Sequence, residues 1–480
     1  MSGNATKVTM TPAQRWVLAL VSAASLMVVL DMLVVTTALN TIRLDLGASI
    51  QALEWTINAF TISFAVLLMP AAALGDRFGR KRLFIGGLGL FIVASAACAL
   101  APNAGMLIVA RAAQGIGSAM ILPHAMALLS MAFGPEQRAK ALGVFASITG
   151  LGTLGGPIVG GAITQGLDWH WIFWINVPIG LVLLALATGR LEESTGPLRR
   201  LDYGGLLLVA GAAFGLVWGL VRGPSVGWTS PEVLATLAAG AVLGVSLVMW
   251  ELRTAEPMLP MRFFKSAAFS AGNGAGFLLY GAMFGSAFFL TQFLQVTLGY
   301  GPFGAGIRLA PWTATVFVVS ITAGSLVNRF GERALIAGGL TLQAVGFGWI
   351  SLIAKPGLAY PEMIAPFIIA GCGTALAIPA AQNSVLGSVP RPAVGVASGV
   401  FNTLRQLSGA FGIAILAAVF AGSGSYASPK SFSDGFVPAL GVAAAISFAG
   451  ALVGLAGPGR RAPEPAAAAP REAQPVLTKD

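Results

Sequence analysis

Runs of about 20 mostly apolar residues recur fourteen times along the chain, parted by short segments rich in glycine, proline and charge. That length is what an α-helix needs to cross a hydrocarbon layer, where no water can hydrogen-bond an open backbone. The approximate limits are 14–38, 52–74, 83–101, 106–126, 141–163, 172–189, 204–222, 232–250, 267–290, 303–327, 334–354, 363–386, 394–421 and 435–456. Between Ser266 and Ile307 no charged residue marks a boundary, and the split is placed at Gly299-Tyr300-Gly301-Pro302. Only 10% of the residues are charged, against roughly 25% for soluble proteins, so a soluble enzyme is excluded and an all-α polytopic membrane protein is expected.

The basic residues test the count. With fourteen spans and both termini inside, 21 of the 28 Lys and Arg fall in inner segments. Arg43, Arg222, Lys355 and Lys430 fall outside, and Arg111, Arg308 and Arg405 lie within spans. This asymmetry follows the positive-inside rule, and one missed span would scramble it downstream. The net charge of +10 is thus read as a mark of orientation in a cell (inner) membrane, not of nucleic-acid binding. The first run contains Asp31, lacks a small-residue cleavage site and is expected to be retained as a span. The segment 460–480, rich in Ala, Pro and charge, is expected to be a disordered tail on the cytoplasmic side.

Other chemistries find little support. No phosphate-binding Gly-x-x-x-x-Gly-Lys-Ser/Thr loop occurs, so ATP is not expected as the energy source. His124 and His170 cannot make a metal site by themselves, and Cys98 and Cys372 are read as packing residues. No cofactor is expected, and no clustered catalytic set supports a membrane-embedded enzyme.

Three local patterns stand out. Span 2 ends in Leu74-Gly75-Asp76-Arg77-Phe78-Gly79-Arg80-Lys81, a tight inner turn anchored by cations. The turn after span 10 repeats the idea as Asn328-Arg329-Phe330-Gly331-Glu332-Arg333, which points to two related halves with two extra spans between them. In span 5, Gly152, Gly156 and Gly160 repeat every four residues and form one ridge, with Pro157 and Gly161 beside it. Asp31 is read as the one acidic residue well inside a span, where an unpaired carboxylate is costly.

On these residues the chain resembles the major facilitator superfamily, and specifically its fourteen-span drug:proton antiporter branch. Residues 74–81 look like the signature loop, and Leu107, Arg111, Gln114, Gly115 and Gly117 look like the fourth-helix motif. Gly143, Gly152, Gly156, Pro157, Gly160 and Gly161 match the antiporter motif of helix 5. Leu30-Asp31 with Val34, Val35, Ala38, Leu39 and Ile42 resembles the first-helix motif, with Asn40 in place of the usual proline. The segments 169–180 and 256–260 also resemble that branch, His170 replacing the commoner arginine.

The resemblance implies a six-helix bundle over 1–190, a linker with spans 7 and 8 over 191–266, and a second six-helix bundle over 267–459. It implies a proton-driven exporter of small lipophilic compounds, working as a monomer. Gly75, Asp76, Arg77, Gly79 and Arg80 are then expected to form a conformational latch at the inner face. Gly152, Gly156, Pro157, Gly160 and Gly161 are expected to form a hinge that seals the outer side, a static packing ridge being the alternative. Asp31 and Arg111 lie at similar depths, roughly 10 Å and 8 Å below the outer ends of their spans. In the resembled fold those helices adjoin, so the two are expected to pair and carry the proton coupling, a purely structural salt bridge being the alternative. Trp55, Asn58, Gln292, Gln295, Arg308, Asn402 and Arg405 are candidate cavity residues, although polar contacts between helices or snorkelling explain them as well. With Asp31 ionised, the four intramembrane charges sum to +2, which favours neutral, zwitterionic or anionic cargo over dications. An importer of the same fold and a non-transporting sensor remain the competing readings.

Overall fold

A computed structural model describes residues 10–133, 135–195, 202–254, 257, 259–390 and 393–458. The expected tail, 460–480, lies outside them. The elements are α1 (Pro12–Leu46), α2 (Ile50–Phe78), α3 (Arg80–Ala99), α4 (Ala104–Ala132), α5 (Pro135–Gly166), α6 (Trp171–Trp174), α7 (Asn176–Arg190), α8 (Tyr203–Val226) and α9 (Pro231–Arg253). They continue with α10 (Ala267–Gln292), α11 (Pro302–Arg308), α12 (Ala310–Phe330), α13 (Glu332–Ile353), α14 (Pro361–Leu386), α15 (Val394–Ser423) and α16 (Pro429–Leu455). Among the described residues no strand occurs.

Thirteen helical segments are long and apolar enough to cross a membrane among the described residues. The helix on the fifth expected span, α5, is not one of them, so thirteen is the count established. Two expected spans are broken. Span 6 divides at Ile175 into α6 and α7, and span 10 divides at Leu309 into α11 and α12. Each break precedes a proline, Pro178 or Pro311, whose ring disfavours a helical carbonyl four residues earlier. The split at residues 299–302 is a true turn: a π-helical turn over Phe293–Thr297 runs into Gly299 at φ +71°, and Pro302 opens α11.

Local signals fix the ends. Thr11 and Gln14 form a reciprocal capping box at the start of α1, and Gly47 closes it in the left-handed region at φ 58°. Ser49, Asn103, Asp202, Ser230, Ser266 and Ser428 cap other helices with side-chain oxygens.

Helices α1–α7 pack chiefly on one another, as do α10 and α12–α16, while α11 packs chiefly on α5, α8 and α9 pair together, and α8 rests on α2 and α15. The two groups meet mainly through α2 with α15 and α5 with α11. The turn end that carries Asp76 and Arg80 is called the latch end below, and the opposite end the sealed end.

Candidate functional site

Two features share α1, one on each side of it. On the side facing α3, α4 and α7, Asp31 is 2% exposed and Arg111 1% exposed, and Arg111 Nη1 donates to Asp31 Oδ2 at 2.5 Å. The other carboxylate oxygen accepts from Asn176 Nδ2 at 2.8 Å and Gln114 Nε2 at 3.1 Å. Arg111 also donates to Gln114 Oε1 at 2.7 Å and to the Thr56 carbonyl at 3.3 Å, and its guanidinium lies 4.3 Å from the Phe60 ring centre. Asn176 reaches Ser95 Oγ at 3.1 Å, and Cys98 Sγ reaches Gln114 Oε1 at 3.4 Å. Three helices, α1, α4 and α7, thus meet at one carboxylate, and α2 and α3 join the network through Arg111, Asn176 and Gln114. A buried ion pair persists only when its remaining donors and acceptors are satisfied, and this one is held in that way.

On the other side of α1, one helical step away, Met32 and Leu33 line a cavity of ≈ 2130 Å³ between the two groups of helices. Neither Asp31 nor Arg111 lines it. Drug-sized pockets occupy about 300–1,000 Å³, so there is room for a polycyclic molecule and its water. Its wall is mostly apolar and aromatic, with Phe64, Tyr280, Phe284, Trp312 and Phe317, set with the polar groups of Thr291, Gln382, Asn402, Arg405 and Gln406. Exposed Arg262 and Lys265 stand at its mouth on the latch end, and no residue of the loops at the sealed end lines it.

The sealed end is closed by backbone. A Cβ built on Gly160 would lie 2.6 Å from Thr37 Oγ1 and 2.7 Å from the Val34 carbonyl oxygen, so α5 lies flush on α1. Gly156 meets Leu33 and Gly152 meets Leu26 and Val29 on the same face. Gly161 turns instead to α11, where a Cβ would meet Phe303 Cα at 2.7 Å, and a Cβ on Gly306 would meet the Pro157 carbonyl carbon at 2.7 Å. Side chains add to the closure: Gln295 Nε2 donates to the Thr37 carbonyl at 2.8 Å, and the Phe303 N–H donates to Gln165 Oε1 at 3.2 Å.

At the latch end Asp76 pairs with Arg80, Nη2 to Oδ1 at 2.7 Å, within one hairpin and not across to the other group of helices. Glu193 accepts from the Lys81 N–H at 2.9 Å and packs against Gly79, which holds φ +111°. Arg77 lies over the Phe78 ring, and the His124 ring packs directly on Gly75.

Of the seven expected cavity residues, Asn402 and Arg405 line the cavity. The other five are placed elsewhere. Trp55 packs in tilted contact with Phe214 and Trp218 of α8, with ring centres 5.9 and 5.5 Å away. Asn58 is fully buried away from the cavity, its side chain without a hydrogen-bond partner among the described residues. Gln292 accepts from the Tyr426 hydroxyl, and Gln295 belongs to the seal. Arg308 lies between the rings of Tyr300 (3.6 Å) and Tyr360 (5.2 Å) and donates to the Gly304 carbonyl at 3.1 Å. A polar residue in a span must face something other than lipid, but spacing alone does not say which neighbour. Nor is Asp31 the single buried acid: Glu54 and Glu251 are 4% and 2% exposed. Both lie at the ends of expected spans, 52–74 and 232–250, so Asp31 keeps its place as the acid well inside one.

Comparison with known proteins adds to this geometry. The family description "Major Facilitator Superfamily" matches residues 21–413 and 273–479. Similar chains include a tetracenomycin C resistance and export protein of Streptomyces glaucescens, 32% identical over 88% of this chain and 78% of that protein. They include a puromycin resistance protein of Streptomyces alboniger, 34% identical over 91% and 89%, and a cephamycin export protein of Amycolatopsis lactamdurans, 35% identical over 88% and 88%. Among solved structures, a peptide transporter POT in complex with sulfate has TM-score 0.69 at 14% identity, covering 92% of this chain and 94% of that one, a likeness in fold alone.

Proposed function

The chain belongs to the major facilitator superfamily, and from that premise we propose that it exports small lipophilic compounds, drugs or antibiotics, in exchange for protons. Membership makes it a multi-pass membrane transporter and not an enzyme. The named resistance and export proteins among its relatives support export and the chemical breadth of the cargo. The topology proposed is fourteen spans in the inner membrane with both termini cytoplasmic, so the latch end faces the cytoplasm and the cavity is loaded from there. The carrier works as a monomer, with the proton gradient as its energy source.

The observation that carries the exchange is that α1 presents a buried carboxylate to one side and the cavity wall to the other. Proton and cargo then bind at separate places joined by one rigid helix, and each shifts the equilibrium that the other senses. Asp31 is the proton site and Arg111 its partner. As the two bundles rock, Gly161 and Pro157 part from α11 to open the far side, while Asp76 and Arg80 move to latch the near one. One inward proton yields about 2.3 kcal/mol per 100 mV and about 1.4 kcal/mol per pH unit, together enough for roughly a 500-fold gradient of neutral cargo.

The test is Asp31→Asn in proteoliposomes with an imposed pH gradient. Binding to the purified variant should survive while pH-driven accumulation disappears; undiminished pH-driven exchange would refute the role. Cargo moving in the same direction as protons would favour an importer.

A further inference from the structure

Resting on the export reading, we infer that Arg405 and Trp312 form a donor-only cargo site, built for an anionic or carbonyl oxygen on a polycyclic aromatic molecule. Arg405 is the one membrane-depth cation left without an ion pair or a side-chain hydrogen bond among the described residues. Arg111 has Asp31, and Arg308 has two tyrosine rings and a carbonyl. Arg405 makes no ion pair or side-chain hydrogen bond there, its Nε is buried without a partner, and its guanidinium lines the cavity 5.5 Å from the Tyr280 ring centre. A guanidinium at that depth is retained at a cost, which a ligand of opposite charge offsets.

Trp312 gives the second, independent sign. It is 4% exposed and lines the same cavity, and among the described residues its indole N–H is buried without an acceptor. Buried Trp N–H groups ordinarily find a partner. Arg405 stands 11 residues into α15 from the latch end, roughly 16 Å deep, and Trp312 is 18 residues from the latch end of α12, roughly 27 Å deep. The two donors are therefore about 10 Å apart in depth, the length of three or four fused rings. Phe284, Tyr280 and Met283 supply apolar wall, and Asn402 and Gln406 add polar groups that accept or donate.

The acids of the cavity do not neutralise this site. Asp76 is paired with Arg80. Asp202 accepts from the Gly205 N–H at 2.7 Å and from Trp250 Nε1 at 2.7 Å, and Glu251 accepts from the Leu259 N–H at 3.1 Å. All three sit on helix termini at the latch end, about a Debye length or more from Arg405. Cargo thus enters past a mixed-charge mouth and meets an unopposed cation at depth.

The experiment uses two xanthene dyes of one skeleton and opposite charge, anionic fluorescein and cationic rhodamine 6G, moved by a proton gradient in proteoliposomes of the full chain. The parent should move fluorescein at least tenfold more efficiently, in kcat/KM, than rhodamine 6G. Arg405→Gln should lose about 30-fold or more for fluorescein and leave rhodamine 6G unchanged or improved. Arg405→Lys should restore fluorescein to within about fivefold, and Trp312→Phe should raise its KM several-fold with kcat held. Equal loss of both dyes in folded Arg405→Gln overturns the assignment. Rhodamine 6G as the only dye moved by the parent overturns it too, and leaves export standing. Movement of neither dye counts against both readings. If Arg405→Gln does not fold, the parent's dye ratio and Trp312→Phe decide.

Discussion

Replacing Asp31 by Asn leaves Arg111 charged, 1% exposed and without its counter-ion, because a guanidinium does not shed its proton. Breaking a buried pair from one side costs about 3–5 kcal/mol. The lower figure applies here, since Arg111 keeps Gln114 Oε1, the Thr56 carbonyl and the Phe60 ring. At about 1.4 kcal/mol per factor of ten, 3 kcal/mol raises the population of locally opened molecules roughly 150-fold. The network contains its own reporter. Cys98 is fully buried with its thiol against Gln114, and the half-buried Cys372 is the other of the two cysteines in the sequence. In a Cys372→Ser background, the rate of Cys98 alkylation by a maleimide under native conditions therefore measures opening of this site. Asp31→Asn should raise that rate about 100-fold, and Asp31→Asn with Arg111→Gln should return it to within about tenfold of the parent, because no charge is then stranded. A single variant within threefold of the parent would show that the pair does not hold this region together. Transport separates the roles: a double variant that regains packing yet lacks pH-driven exchange has lost coupling, and one that regains exchange had lost only structure.

Gly161→Leu forces a side chain against Pro302 and Phe303, so α5 and α11 cannot close, and proteoliposomes should dissipate a pH gradient several-fold faster than the parent without cargo. Gln295→Ala removes one hydrogen bond to the Thr37 carbonyl, worth about 1 kcal/mol, and should shift accessibility of single-cysteine reporters toward the state open at that end. Asp76→Asn breaks an i,i+4 pair with Arg80 and should change thermal stability by no more than about 0.5 kcal/mol. Its larger effect should be on turnover, read as kcat with KM held, and an unchanged kcat would remove Asp76 from the latch.

What the sequence disclosed follows from how many neighbours a property depends on. Apolar run length depends on none, so thirteen of the fourteen expected spans stand as membrane-length helices, and the breaks at Ile175 and Leu309 are legible afterwards in Pro178 and Pro311. Depth along a helix needs only a count, which brought Asp31 and Arg111 to one level, and the structure joins them. Facing direction is different. Asn176, Ser95 and Cys98 complete the network from α7 and α3, yet each was a polar or soft residue in an apolar run, with nothing to say which helix it met. The same gap misplaced Arg308 and Gln295 in the cavity, where one belongs to a tyrosine sandwich and the other to the seal. Glu54 and Glu251 stand at the ends of apolar runs, where run length says nothing of burial, yet both are buried.

The cavity wall and the carboxylate network have no side chain in common, although Asp31 and Met32 are consecutive. A substitution that reshapes the wall therefore leaves the proton machinery untouched, and the reverse holds as well. Selection for a new cargo can act on about half the circumference of α1 and on the facing helices without renegotiating how energy is drawn from the membrane. On such a body, a lineage diversifies what it carries far faster than how it is driven.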